Sequence, residues 1–218
     1  MSEAQANDRS IATEIADALA GRIICGELPP GTWLRQDHVA IEFGASHVPV
    51  REAFRRLHAQ RLVVIEPRRG VRVAPLDPVA VIEVAEMRAS LEALALRHAM
   101  ARITEREIDA IETALNDAPH SSDGLAALEE RNRCFHAALV APCAMPRLKD
   151  TIADLHQASA RHLFAAWRDL DWQGRSDHEH HAVLAAVRAR RVAQACQLLT
   201  RHILAAGKAL AAVSLRDG

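Results

Sequence analysis

The sequence predicts a mostly α-helical fold in two parts: an N-terminal unit of three helices plus a β-hairpin, then an all-α antiparallel bundle of six helices. Three observations lead there. Ala, Leu, Arg and Glu dominate while Tyr is absent and only four Phe occur, so helix formers far outnumber strand formers. The β-prone runs that punctuate the chain fall between residues 62 and 74, around a Pro/Gly turn. From Asp77-Pro78 onward only helical periodicity remains, which sets a boundary between residues 1–76 and 77–218.

Ile11, Ile15, Leu19, Ile23 and Ile24 recur at helical spacing in residues 9–26, with Asp8 or Ser10 available as a cap. Glu27-Leu28-Pro29-Pro30-Gly31 stops this first helix, because Pro cannot continue it. A short second helix from about Gln36 to Phe43 turns Val39, Ala40 and Phe43 inward, and Gly44 ends it where a left-handed conformation is required. Ser46 offers an N-cap hydroxyl and Pro49 falls in the first turn, so a third helix starts near His47. Val50, Phe54 and Leu57 form its buried stripe, leaving His47, Val48, Arg51 and Arg55 on the opposite side. Leu62–Glu66 and Val71–Ala74 then flank Pro67-Arg68-Arg69-Gly70 as a hairpin. Three helices and such a hairpin make a winged helix-turn-helix, whose third helix reads base edges from its N-terminal end.

Charge agrees. The net charge is −1, yet residues 47–72 hold seven arginines against two glutamates, a local excess of five positive charges suited to phosphates. A merely solvated helix face is the alternative on charge alone. The DNA-contacting set is therefore Ser46, His47, Arg51 and Arg55 on the helix, with Arg68, Arg69 and Gly70 at a hairpin tip placed to reach a phosphate or the minor groove.

Other classes are disfavoured. No run of about 18 apolar residues exists and the first ten residues are polar, so neither a membrane span nor a secretory signal is expected, and the protein is expected in the cytoplasm. The cysteines at 25, 134, 143 and 196 form no CxxC pair, which fits reduced thiols, mostly small core residues.

In the second half, helices are expected over Val79–Ala101, from a Thr104-x-x-Glu107 capping box to about Asn116, and over Leu125–Val140, Met145–Arg168, Asp177–Arg188 and Val192–Val213, with a loop at Pro119–Gly124. Of the twelve histidines, His120, His156, His162 and His178 show no obvious partner and are expected at the surface or in ordinary hydrogen bonds. His178-Glu179-His180-His181 is not a zinc-protease motif, because Ala182 stands where HExxH needs its second His. A better constellation is Asn132 and His136, four apart on one helix face, with His180 beside Val183, Leu184 and Val187 and His202 among Leu198, Leu199 and Ile203. Three imidazoles and an oxygen donor brought together inside a bundle suit Zn²⁺, Ni²⁺ or a related divalent ion; hydrogen-bonded core histidines are the alternative.

GELPPGTWL, FGASHVPVREAFRRL and PRRGVRVAPL together resemble the N-terminal domain of GntR-type bacterial transcription regulators. MRASLEALA, NRCFHAAL, EHHAVLAAV and LLTRHI are similar to the FCD effector-binding domain of the FadR branch, and the short six-helix half suggests its VanR-like subgroup. The resemblance implies a homodimeric regulator, by family habit a repressor, on a pseudo-palindromic DNA operator. It further implies a metal that supports binding of a small carboxylate effector, for which Arg88 is the candidate partner; a surface ion pair with Glu92 is the alternative for Arg88. Two positions depart from the family: His47 stands where Arg is usual, and Asn132 where metal-binding members usually have Asp. The rivals are a regulator for which the metal itself is the signal and, least favoured, a metal-dependent enzyme.

Overall fold

The computed structural model describes residues 3–75, 77–116, 124–167 and 173–214. It divides into two compact units, Met1–Leu76 and Asp77–Gly218. The first contains α1 (Glu3–Ile24), β1 (Trp33–Leu34), α2 (Gln36–Glu42), α3 (His47–Ala59), β2 (Val63–Glu66) and β3 (Gly70–Val73). The second contains α4 (Pro78–Met100), α5 (Glu105–Asn116), α6 (Gly124–Val140), α7 (Pro146–Trp167), α8 (Gln173–Arg188) and α9 (Val192–Ser214), six helices as the periodicity required. The expected positions of His120 and of most of the Pro119–Gly124 loop lie outside the described residues, as does the side chain of His162.

Ile15, Leu19 and Ile23 of α1 meet Val50, Phe54 and Leu57 of α3 in one core, closed by Val39, Val63 and Val73. Each fully buried aliphatic or Phe side chain there contributes about 1.5–3 kcal/mol. The turn from α2 to α3 is fixed by Gly44, whose φ of +58° suits glycine. Its N–H donates to the carbonyl of Ile41 at 3.3 Å and that of Ala45 to the carbonyl of Ala40 at 2.9 Å, the paired bonds of a Schellman ending.

Two expectations are corrected and a third is extended. Neither Asp8 nor Ser10 stands at the N-cap, because α1 begins at Glu3 and runs through both positions. Ser46 occupies the N-cap of α3 with extended backbone, but its hydroxyl makes no capping bond. An N-cap oxygen accepts from the second or third helical N–H, and Pro49 removes the third. The hairpin is not alone: β1 pairs with β3 (Trp33 opposite Arg72, Leu34 opposite Val71), giving an antiparallel sheet ordered β1-β3-β2.

At the hairpin tip, Arg69 N–H donates to Glu66 C=O at 3.1 Å, with Pro67 and Arg68 between them. Arg68 has φ +64°, so this is a type II-like turn with arginine where glycine or asparagine is usual.

In the second unit, Asp77 caps α4 through its side chain to Val79 N–H at 2.9 Å, and Pro78 occupies the first turn. Phe135 and Leu139 of α6, Leu96 of α4, Ile108 and Ile111 of α5, Val183 and Val187 of α8 and Leu199 of α9 share one core. Helices α4 and α9 approach closely at Gly207, where an added Cβ would lie 2.3 Å from the Cβ of Ala85. The predicted capping box forms at α5: Glu107 accepts from Thr104 N–H at 2.6 Å and from its hydroxyl at 2.8 Å. Cys143 and Cys196 are buried, while Cys25 and Cys134 are only partly so, and all four are free thiols.

Candidate nucleic-acid interface and metal centre

Helix α3 places Ser46, His47, Val48, Arg51 and Arg55 on its exposed side, with Val48 56% exposed, while Pro49, Val50 and Phe54 face the core. A groove in this unit is lined by Arg51 and Arg55 together with Arg68, Arg69 and Gly70 of the hairpin tip. Arg35 and Gln36, which sequence reasoning missed, line it too. Five arginines therefore share the groove with two acids, Asp37 and Glu66. Glu66 is engaged by Arg72 at short range and also lies 3.9 Å from Arg69. His47 is 3.4 Å from Asp37, and its carbonyl accepts from Gln36 at 3.4 Å, so the N-terminus of α3 is tied to that of α2. Ser46 and His47 do not line the groove but sit at the helix start beside it.

The second unit buries a polar cluster. Asn132 and His136 come from α6, His180 from α8 and His202 from α9, and all four are buried. His180 Nε2 lies 3.1 Å from His202 Nε2. One ligand atom from each of His136, His180 and His202 falls within 4.8 Å of the others, a spacing three ligands of one cation can adopt. Burial drives the His136 pKa down to about 3, against the pull of Glu92, and holds His180 well below the usual histidine range beside the other imidazoles. Metal ligation requires neutral imidazoles, which burial favours at His136 and His180, so the donor set of His136, His180 and His202 fits a divalent ion.

Arg88 of α4 does not pair with Glu92 at the surface. The i,i+4 pair forms, Nε to Oε1 at 2.8 Å, but inside the bundle with both side chains buried. His156, expected at the surface or in ordinary hydrogen bonds, is buried there, with Nε2 at 3.0 Å from Glu92 and 3.1 Å from Arg88 Nη2. Glu92 further meets His136 Nδ1 at 2.6 Å. Burial opposes the Glu92 charge, yet Arg88, His136 and His156 outweigh it and keep the carboxyl well below the usual carboxylate range. Glu92, His136 and His156 also lie within metal-ligand spacing. The Arg88 cation on that same carboxylate makes this second group a poor cation site, since two positive charges would share one buried anion. Glu129, one turn before Asn132 and 3.5 Å from its amide, has its pKa pushed up to about 7 by burial. Glu179 of α8 meets His202 Nδ1 at 2.8 Å, and that hydrogen bond holds its carboxyl below the usual range.

Arg88, Asn132, His136 and His202 line one cavity with the hydroxyl-bearing Ser159 and Ser176 and an apolar wall that includes Val84, Ile203 and Leu210. Its volume is about 30 Å³. The sequence signal for Glu92 was its i+4 spacing from Arg88. For His156 there was none, because its partners lie on another helix; for Glu179 there was only its i+4 spacing from Arg175, since His202 lies on α9.

A winged helix-turn-helix on one chain with a helical unit that buries a polar cavity defines a DNA-binding transcriptional regulator. Residues 11–73 match the bacterial regulatory proteins of the gntR family, and residues 83–205 match the FCD domain. The chain belongs to the GntR family and carries the FCD domain. It is 30% identical to the HTH-type transcriptional repressor GlaR of Escherichia coli, over 85% of this chain and 89% of that protein. It is 28% identical to the Nta operon transcriptional regulator of Aminobacter aminovorans, covering 77% and 78% of the two. Among solved structures, E. coli McbR/YncC superposes with a TM-score of 0.77 at 21% identity, over 95% of this chain and 99% of that one. A GntR family member from Pseudomonas syringae superposes with a TM-score of 0.56 at 28% identity, over 93% and 85%. Among the described residues no helix is long and apolar enough to cross a membrane.

Proposed function

We propose that this DNA-binding regulator is a cytoplasmic homodimeric repressor whose affinity for a pseudo-palindromic operator is set by a small carboxylate bound in the second unit together with a divalent ion, Zn²⁺ or Ni²⁺. Residues 1–76 bind DNA: Arg51, His47 and Arg55 read bases in the major groove, Ser46 sits at the helix start, and Arg68, Arg69 and Gly70 of the wing contact phosphate or the minor groove. Residues 77–218 dimerise and sense. His136, His180, His202 and Asn132 hold the ion, which when bound supplies a Lewis-acidic contact for the effector, and Arg88 lines the same cavity as the organic anion's second partner. The observation that carries the reading is that the buried His136, His202 and Arg88 line one cavity, with the buried His180 3.1 Å from His202. The name GlaR gives to its own protein, a repressor, supports the sign. An effector acts only by binding the DNA-competent and incompetent states with different affinity.

A second reading, in which the metal alone is the signal, is favoured by one fact: Arg88 already has a buried carboxylate partner in Glu92. One titration separates the two. Operator binding is measured against added Zn²⁺ or Ni²⁺, with and without a panel of small organic acids. The proposed function expects the acid to shift the operator Kd only when metal is present. A shift with metal that no acid alters would establish the second reading.

A further inference from the structure

Two of the clustered imidazoles carry a carboxylate on Nδ1. His202 has Glu179 Oε2 at 2.8 Å on Nδ1 and His180 at 3.1 Å on Nε2, so its two contacts use opposite ring nitrogens. His136 has Glu92 Oε2 at 2.6 Å on Nδ1, which leaves Nε2 as its other ring nitrogen. An ionised carboxylate only accepts hydrogen bonds, and a neutral imidazole has one N–H to give. Both acids are kept ionised by cations as well as by histidine: Arg88 lies 2.8 Å from Glu92, and Arg175 lies 3.0 Å from Glu179. With each ring neutral, as a metal ligand must be, the hydrogen of His202 and of His136 sits on Nδ1 and the electron pair on Nε2.

We propose that Glu179 and Glu92 are positioning residues for a divalent cation, each fixing its histidine as the Nδ1–H tautomer so that His202 and His136 offer Nε2 to the cluster that His180 completes. This deepens the metal reading given above and rests on it. A carboxylate behind a ligating imidazole orients the ring and raises the basicity of its far nitrogen. The two acids come from helices other than those of the histidines they hold, α8 behind α9 and α4 behind α6, so each ring is fixed across a helix interface. Among the described residues no carboxylate meets His180. Because His202 Nε2 is an acceptor in this scheme, the hydrogen of the 3.1 Å contact belongs to His180. His180 is then the one ligand that must move its hydrogen to Nδ1 when a cation enters.

The test uses full-length protein with ¹⁵N-labelled histidine, freed of metal by chelation. Long-range ¹⁵N–¹H correlation spectra are expected to show Nδ1–H for His202 and His136 and Nε2–H for His180, with His180 alone changing tautomer on addition of Zn²⁺. Glu179→Gln, whose amide both donates and accepts, is expected to bind Zn²⁺ about 10–100-fold more weakly in chelator competition. Its metal-free thermal midpoint should fall, because the carboxylate's pairs with His202 and Arg175 are lost, while the fold persists, and Glu179→Asp should recover part of the metal affinity. Glu92→Gln strips Arg88 of its buried partner and can fail to fold, so Glu179 carries the affinity arm. An Nε2–H signal for His202 in the metal-free wild type would overturn the proposal, as would wild-type zinc affinity in Glu179→Gln. A wild-type protein that takes up neither Zn²⁺ nor Ni²⁺ would overturn the metal reading itself, a separate result.

Discussion

Arg51 and Asn132 set the terms at the scale of single residues. Arg51 stands on the exposed face of α3 and lines the basic groove, and it makes no fold-stabilising contact among those described. Arg51→Ala is expected to weaken operator binding by about 1–3 kcal/mol, with helix content and dimerisation intact. Where the guanidinium meets phosphate instead, the slope of log K against log salt falls by about one and sequence preference stays. His47 offers a smaller charge at the helix start, tethered 3.4 Å from Asp37. His47→Arg should tighten binding and steepen the salt dependence, read by fluorescence anisotropy at several salt concentrations. Asn132→Asp should act with opposite signs in two states. With zinc, a charged oxygen donor lowers the metal Kd in chelator competition. Without zinc, the new carboxylate faces the buried Glu129, now 3.5 Å from the amide, and the thermal midpoint drops.

At the scale of the element, the α4–α9 contact is decided by two small residues. A Cβ at position 207 would sit 2.3 Å from that of Ala85, too close without a shift of helix backbone. Gly207→Ala should cost about 1–3 kcal/mol by overpacking, and adding Ala85→Gly should restore most of it, as measured by denaturant unfolding. The α5 capping box carries a pH signature. Hydrogen bonds from Thr104 hold the Glu107 pKa below its ordinary value. Its contribution is therefore present above the unfolded glutamate pKa and is lost as pH falls through the folded one. Glu107→Ala should lower the thermal midpoint near neutrality and change little in strong acid. Boundaries of this kind were legible in the sequence because each carries its own chemistry: Gly44 for a positive φ, Pro49 for a first turn, Thr104 and Glu107 for a reciprocal cap. What was not legible depends on distant partners. β1 is two residues long and exists only because β3 offers a free edge. Asn132, His136, His180 and His202 could be read from helical spacing beside apolar residues. The burial of His156 could not, because Arg88 and Glu92, which receive it, lie on a helix far away in sequence. The Ser46 hydroxyl misled because Pro49 removes one of the two N–H groups that an N-cap oxygen can bond, and the hydroxyl does not take the other.

At the scale of the whole molecule, the two units are expected to answer different titrants. Zinc at about one hundred times its Kd adds about 2.7 kcal/mol to whatever unit binds it. Calorimetry with and without zinc should therefore raise the transition of the unit holding the histidines, and Arg51→Ala should leave that increment unchanged. Coupling between the units must be reciprocal: a ligand that weakens operator binding by some factor is itself bound more weakly by that factor when operator is present. The exposed Val48 adds a measure of register. It is seated beside Arg51 at the start of α3, and where that helix enters the major groove its methyl groups would meet the one feature thymine has and uracil lacks. In a dimer that feature is touched twice. Replacing operator thymines one at a time by deoxyuridine should leave most positions silent and weaken binding at a symmetric pair. The number of base pairs between the two sensitive thymines would then give the separation of the reading helices, about one helical turn or a multiple of it, from DNA chemistry alone.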